Sequence, residues 1–134
     1  MKLLIIHGPN MNLLGSFSKN RLTLDKLNRL IRRFAKKNDF IVKIYQTNSE
    51  AKYVSLLQRN RNKVNGMLLN LGPWNADSNI IQHTLSIIDV PYRIVESSEQ
   101  SKKYLQKTLF DQNLIIQKSD IDQSYLMGME QLIS

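Results

Sequence analysis

His7-Gly8-Pro9-Asn10-Met11-Asn12-Leu13-Leu14-Gly15, entered from the apolar run Leu3-Leu4-Ile5-Ile6, is the stretch on which the reading of this chain turns. The apolar run reads as a buried strand. The loop after it holds two glycines, a proline and two asparagines, unusual chemistry for a plain connector. Asparagine side chains both donate and accept hydrogen bonds. Loops at the carboxyl ends of strands are where open α/β sheets bind ligands.

Outward from that stretch, strand-like and helix-like segments alternate. Strands are expected at residues 2–7, 40–46, 64–70, 91–95 and 114–116. Helical spacing of Leu24, Leu27, Leu30, Ile31 and Phe34 follows Thr23 as a cap. A second helix begins at Asn48 or Ser49 and runs through Tyr53, Val54, Leu57 and Arg61. A loop at 71–77 leads to a helix capped by Asp77 or Ser78, carrying Ile80, Ile81, Leu85 and Ile88. A basic helical segment is expected at 101–108. Ser119 or Asp120 caps the last helix, with Ile121, Tyr125, Leu126, Met129 and Leu132. Five short strands separated by amphipathic helices predict βαβ units in one α/β domain over residues 1–134. Right-handed crossovers make that a doubly wound parallel sheet.

Composition narrows the function. The chain has no cysteine, so disulfides, thiol nucleophiles and thiolate metal sites are excluded. No apolar run approaches the ~20 residues of a membrane span, and a cytoplasmic location is the default. The formal charge is +8. Arg29, Arg32, Arg33, Lys36 and Lys37 share one helical face, which reads first as a solvated surface. A basic nucleic-acid-binding module is the alternative, without the interleaved aromatic residues that stacking platforms need.

The loops lack several common catalytic signatures. Gly8 and Gly15 form no dinucleotide or Walker fingerprint, so no nucleotide cofactor is implied. Asn70 stands where a receiver-type phosphoacceptor needs aspartate, and no G-x-S-x-G elbow occurs. His7 and His83 are far apart in sequence, so neither metal nor any other cofactor is expected. His7, ending the first strand, reads first as a packed, hydrogen-bonded histidine, and His83 as a surface residue. Asn10, Asn12, Asn70, Ser97 and Ser98 suit hydrogen bonding to a small polyhydroxylated or carboxylated ligand. Local backbone turns are the competing explanation for each asparagine.

The motif Gly8-Pro9-Asn10-Met11-Asn12-Leu13-Leu14-Gly15 resembles that of the type II 3-dehydroquinate dehydratases. So do Gln46-Thr47-Asn48-Ser49-Glu50-Ala51, Asn70-Leu71-Gly72 with Ser78, Val90-Pro91, Ser98 and Tyr125-Leu126, in order and spacing over almost the whole chain. The resemblance implies a flavodoxin-like three-layer sandwich with strand order 2-1-3-4-5. It also implies a homo-oligomer of trimers assembled into a dodecamer, and dehydration of 3-dehydroquinate in the shikimate pathway of aromatic biosynthesis. Such lyases use a tyrosine base kept anionic by an arginine. A histidine acid held by a glutamate protonates the leaving hydroxyl, and an asparagine stabilises the enolate through water.

Carried over residue by residue, Asn10 matches the catalytic asparagine, and Asn70 and Ser98 match substrate-binding positions. Ser97 falls where a backbone amide holds the substrate carboxylate, and Lys103 and Lys107 fall where the family has arginines. The departures are larger. Phe17 stands at the arginine, residues 16–22 contain no tyrosine, Glu96 replaces the acid histidine, Ile94 its glutamate partner, and Ala76 a substrate-binding histidine. Two like charges about 4 Å apart repel by roughly 4 kcal/mol at an effective dielectric near 20. Glu96 therefore opposes a substrate carboxylate unless it is protonated or paired with Arg93, Lys103 or Lys107. A raised carboxyl pKa would instead make it an acid catalyst. Tyr45, Tyr53 and Tyr92, or a group from a neighbouring subunit, are open to recruitment as a base. The reading is a diverged family member with a degenerate active site and weak or absent dehydratase activity. Asn10 and Glu96 are its catalytic candidates, and Asn70, Ser97, Ser98 and Lys107 contact a small carboxylate. A non-catalytic ligand-binding or assembly protein on the same fold is the alternative.

Overall fold

The structure, a computed structural model, describes residues 1–18, 20–97 and 101–134. Five strands, β1 (Lys2–His7), β2 (Ile41–Gln46), β3 (Gly66–Leu69), β4 (Tyr92–Ser97) and β5 (Ile115–Lys118), form one parallel sheet in the order β2-β1-β3-β4-β5. The helices are α1 (Leu14–Phe17), α2 (Leu24–Lys37), α3 (Glu50–Asn60), α4 (Trp74–Asp77), α5 (Asn79–Ile88), α6 (Lys102–Leu105) and α7 (Ile121–Ile133).

Side chains of successive strand residues point to opposite faces, so one strand feeds two cores. Leu3 and Ile5 join Leu68 and Val95 under α2 and α7, against Leu27, Ile31, Tyr125 and Met129. Leu4 and Ile6 join Met67, Leu69 and Ile94 on the opposite face, against Tyr53 and Leu57 of α3 and Ile81 and Leu85 of α5. Residues 3–6 are wholly buried, as the unbroken apolar run requires. Gly128 lets α7 lie close to the sheet, since a Cβ there would strike Leu68 and lie 3.1 Å from Val95.

Thr23, Ser49 and Ser78 each accept a hydrogen bond from a backbone N–H three residues on, as capping requires. Asp120 begins α7 without a side-chain capping bond. Two expectations need correction. The segment 101–108 is helical only over Lys102–Leu105, and the loop 71–77 contains the helical turn Trp74–Asp77. Gly72 N–H and Glu96 hold that second segment, a tertiary constraint that local periodicity does not carry.

His7 is wholly buried at the carboxyl end of β1. Its Nε2 lies 2.7 Å from Asn28 Oδ1, and its Nδ1 lies 2.7 Å from the Tyr125 hydroxyl. A carbonyl oxygen only accepts, so Nε2 carries the proton and Tyr125 donates to Nδ1. This bridge joins β1 to α2 and α7 and makes His7 the packed histidine. His83 is exposed on α5.

Burial pushes the His7 pKa from 6.5 down to about 4, against the raising effect of Asn28. Below pH 6.5 the unfolded chain binds a proton that the folded chain refuses until about pH 4. This group's contribution is fully present above pH 6.5 and is lost as pH falls to 4, a change of about 3 kcal/mol. Urea unfolding across that range is expected to show the decline, and His7→Gln to flatten it. An unchanged slope in the variant would remove His7 as its source.

Candidate functional site

A cleft of about 220 Å³ opens at the carboxyl ends of β1, β3 and β4. Asn10 and Phe17 border it from the β1–α2 connection, Asn70 from the end of β3, Glu96 and Ser97 from β4, and Asp120 from the start of α7. The parallel topology explains the convergence. Pairing of Ile6 with Leu69 and of Leu69 with Ile94 brings the three loops side by side.

The first-strand loop is held by the second. Gln46 Nε2 donates to Gly8 O and to Asn48 Oδ1, each at 3.1 Å, and Asn48 Oδ1 accepts from Asn10 N–H at 2.9 Å. Asn10 adopts the left-handed conformation (φ 68°), which asparagine tolerates better than most residues. Gly8 is required by close approach, because a Cβ there would lie 2.5 Å from Asn70 O.

Asn70 is fully engaged. Its Oδ1 accepts from Gly8 N–H at 3.1 Å, and its Nδ2 donates to Val95 O and to Glu96 Oε1 at 3.0 Å. Its carbonyl accepts from the Tyr53 hydroxyl at 2.9 Å.

Glu96 is 2% exposed. Oε1 accepts from Asn70 Nδ2 and from Ser101 Oγ at 3.2 Å. Oε2 accepts from the N–H groups of Leu71 and Gly72 at 3.0 Å and from Asn75 Nδ2 at 2.9 Å. All five donors are neutral. Burial raises the carboxyl pKa above its ordinary value, while the bonds from Leu71, Gly72, Asn75 and Ser101 pull it down. Arg93, one of its expected cation partners, instead donates to Gln131 Oε1 and to Tyr92 O. Lys103 and Lys107 are exposed and stand outside the cleft lining.

The structure therefore brings Asn10, Asn70, Glu96 and Ser97 together and leaves Lys107 apart. Ser98 lies outside the described residues. Tyr53 is buried under Asn70 and Tyr92 packs edge-on against Phe110, whereas Tyr104 borders the cleft. Sequence reasoning missed Tyr104, Ser119, Asp120 and Asp122, which also line it. Asp120 was legible as a helix start, but nothing local shows that this helix starts beside Asn70. Among the described residues no group of three or more His, Cys, Asp or Glu side chains is arranged to hold a metal, and no helix is long and apolar enough to cross a membrane.

The family model described as Dehydroquinase class II matches residues 1–132. A 3-dehydroquinate dehydratase of Trichodesmium erythraeum is 30% identical over 98% of this chain and 92% of its own. One from Caldanaerobacter subterraneus is 33% identical over 67% of this chain, and the match spans 63% of that relative's length. The crystal structure of a type II dehydroquinase from Butyrivibrio crossotus superposes with a TM-score of 0.85 at 23% identity. The superposition covers 100% of this chain and 98% of the other, and at that identity it carries the fold alone.

Glu96→Gln turns an amide N–H₂ toward groups that themselves donate, leaving buried donors without acceptors. It is expected to lower unfolding stability by about 1–3 kcal/mol, and Glu96→Ala by more, read from urea midpoints at constant slope. A Glu96→Gln protein as stable as its parent would contradict this role.

Proposed function

From the premise that this chain belongs to the class II dehydroquinase family, we propose that it keeps the family's scaffold and ligand cleft while its dehydration of 3-dehydroquinate is weak or absent. One observation carries the reading. At the position where the resemblance implies an acid histidine, Glu96 is buried and spends both carboxylate oxygens on five donors. A general acid must reach the leaving oxygen within hydrogen-bond distance. Glu96 meets that demand only by giving up bonds that tie β4 to the loop after β3.

The supporting departures concern the base. Phe17 borders the cleft where an arginine is implied, and no tyrosine lies between Gly15 and Thr23. Asn10, with its side chain free of capping bonds, remains able to orient a water or a ligand hydroxyl. Ligand contact by Ser97 and Asn70 belongs to the same reading, with Asn70 acting mainly through the shape it gives the loop. The protein acts as a small-molecule-binding family member, and its role in catalysis is at most residual.

Dehydratase turnover, followed as conjugated-enone absorbance with protein prepared free of host enzyme, is expected at least about a thousandfold below that of an intact family member. Loss of one acid–base partner typically removes about 10²–10⁴-fold, and losses within one catalytic unit do not add. Ordinary turnover would overturn the proposal. Glu96→His alone is expected to restore nothing, because the base and its arginine belong to a different loop.

A homo-oligomer with a trimer as its smallest unit is proposed from the family resemblance. Ile80 and Ile87 on one face of α5 are 54% and 66% exposed, apolar surface that a partner copy would cover. Light scattering is expected at three times the 15.6 kDa chain mass or a multiple of it. A single-chain mass across micromolar concentrations would reject it.

A further inference from the structure

Helix α2 presents six cations to solvent. Lys26, Arg29, Arg32, Arg33, Lys36 and Lys37 are all exposed. At 3.6 residues per turn they fall within an arc of about 140°. Asp25 is the only acidic residue of the helix. None of the six side chains makes a hydrogen bond or an ion pair among the described residues. The helix cannot turn this face away, because Leu27, Ile31 and Ala35 on its other side are buried against the sheet. Arg29 with Arg33, Arg32 with Lys36, and Arg33 with Lys37 are like charges four residues apart, which destabilise a helix. The helix dipole favours Lys36 and Lys37 in the last turn. It does not account for the three arginines, and it opposes Lys26 in the first turn.

We infer that the outer face of α2 binds the phosphodiester backbone of a double-stranded nucleic acid without reading its sequence. From Lys26 to Lys37 the helix rises about 16 Å. One strand of a DNA duplex passes a phosphate about every 3.4 Å of its axis, so about five over that length. Six cations stand against them. Arg29, Arg32 and Arg33 bring planar guanidinium forks that match phosphate oxygens. Base stacking on single strands needs exposed aromatic rings. Phe34, the one aromatic residue of the helix, instead packs edge-on against Phe40. A membrane-bound amphipathic helix inserts its apolar face, and here that face is held in the core. A second copy of the chain brings a net charge of +8 to the same surface, which disfavours it as an occupant.

The test is fluorescence anisotropy of the full chain with a short labelled duplex, as DNA and as RNA of the same sequence, across a salt series. Binding is expected with Kd of about 10⁻⁴–10⁻⁶ M near physiological salt. Six cations at ~0.9 per phosphate give a slope of log K against log salt of about −5. The triple variant Arg29→Gln, Arg33→Gln, Lys37→Gln is expected to bind about tenfold or more weakly, with its slope cut to about half. Glutamine is close to lysine and arginine in helix propensity, so α2 is kept. A reference variant, Lys52→Gln, Arg59→Gln, Lys63→Gln, removes the same charge from exposed positions on α3 and the turn after it, on the opposite face of the sheet. Its slope is expected to stay close to that of the parent. Binding of either duplex in this pattern supports the inference, and the preferred one names the source of the backbone. No binding of either duplex at low salt, a slope unchanged in the α2 variant, or equal losses in the two variants would overturn it. So would equal binding of polyglutamate or of phosphatidylserine vesicles, which would make the face a general attractor of anions. None of the substituted residues lines the cleft, so the result is independent of the proposed function.

Discussion

The Glu96 carboxylate, brought into the interior at the end of β4, is the constraint around which this end of the molecule is arranged. An ionised carboxyl without compensation is far too costly to bury, so each oxygen needs donors at fixed places. Two of them are backbone N–H groups, of Leu71 and Gly72, and Gly72 at φ 53° turns the chain immediately after them. Asn70 and Asn75 supply two more from either side of that turn. The loop after β3 is therefore folded around a side chain from β4. Asn70 transmits the same order to β1 through Gly8, where no Cβ fits.

A second buried network lies beside it and works differently. His7 is kept neutral between Asn28 and Tyr125 and joins the sheet to two helices without any formal charge. Tyr125 is itself wholly buried and its pKa is pushed well up, so its hydroxyl donates and does not ionise. The Tyr125 phenol is thus a structural donor to His7. The phenol that borders the cleft, Tyr104, comes from α6 instead.

Fold and site were legible in the sequence to different degrees, for physical reasons. The apolar run 3–6 and the caps Thr23, Ser49 and Ser78 are local signals. The parallel sheet and its helices follow from them, while the strand order came with the family resemblance and the structure has it. The basic residues of α2 are exposed along its outer face. Glu96 was legible as a misplaced charge, but its partners were not. The expected cation was Arg93, Lys103 or Lys107, and the structure supplies two backbone N–H groups and three neutral side chains instead. Every residue but proline has a backbone N–H, so sequence cannot mark the two that will converge. Asp120 and Asp122 escaped notice as cleft residues for a related cause. Their own segment explains them as acidic groups in the first turn of a helix, and only the sheet order brings that turn to the β1 loop.

Charge is distributed on this molecule in two opposed ways, and the two act over different distances. The exposed surface, with Arg29, Arg32, Arg33, Lys36 and Lys37 on α2, draws anions over roughly the Debye length of 8–10 Å at moderate salt. Among the described residues lining the cleft the acidic side chains are Glu96, Asp120 and Asp122, partly shielded from water, where each interaction is stronger. Phe17 stands where the resemblance implies an arginine, and Lys107, at another such position, lies outside the described lining. At Glu96 the chain itself supplies all five donors, two backbone N–H groups and three side chains, so this carboxyl serves the fold where the loop after β3 meets β4.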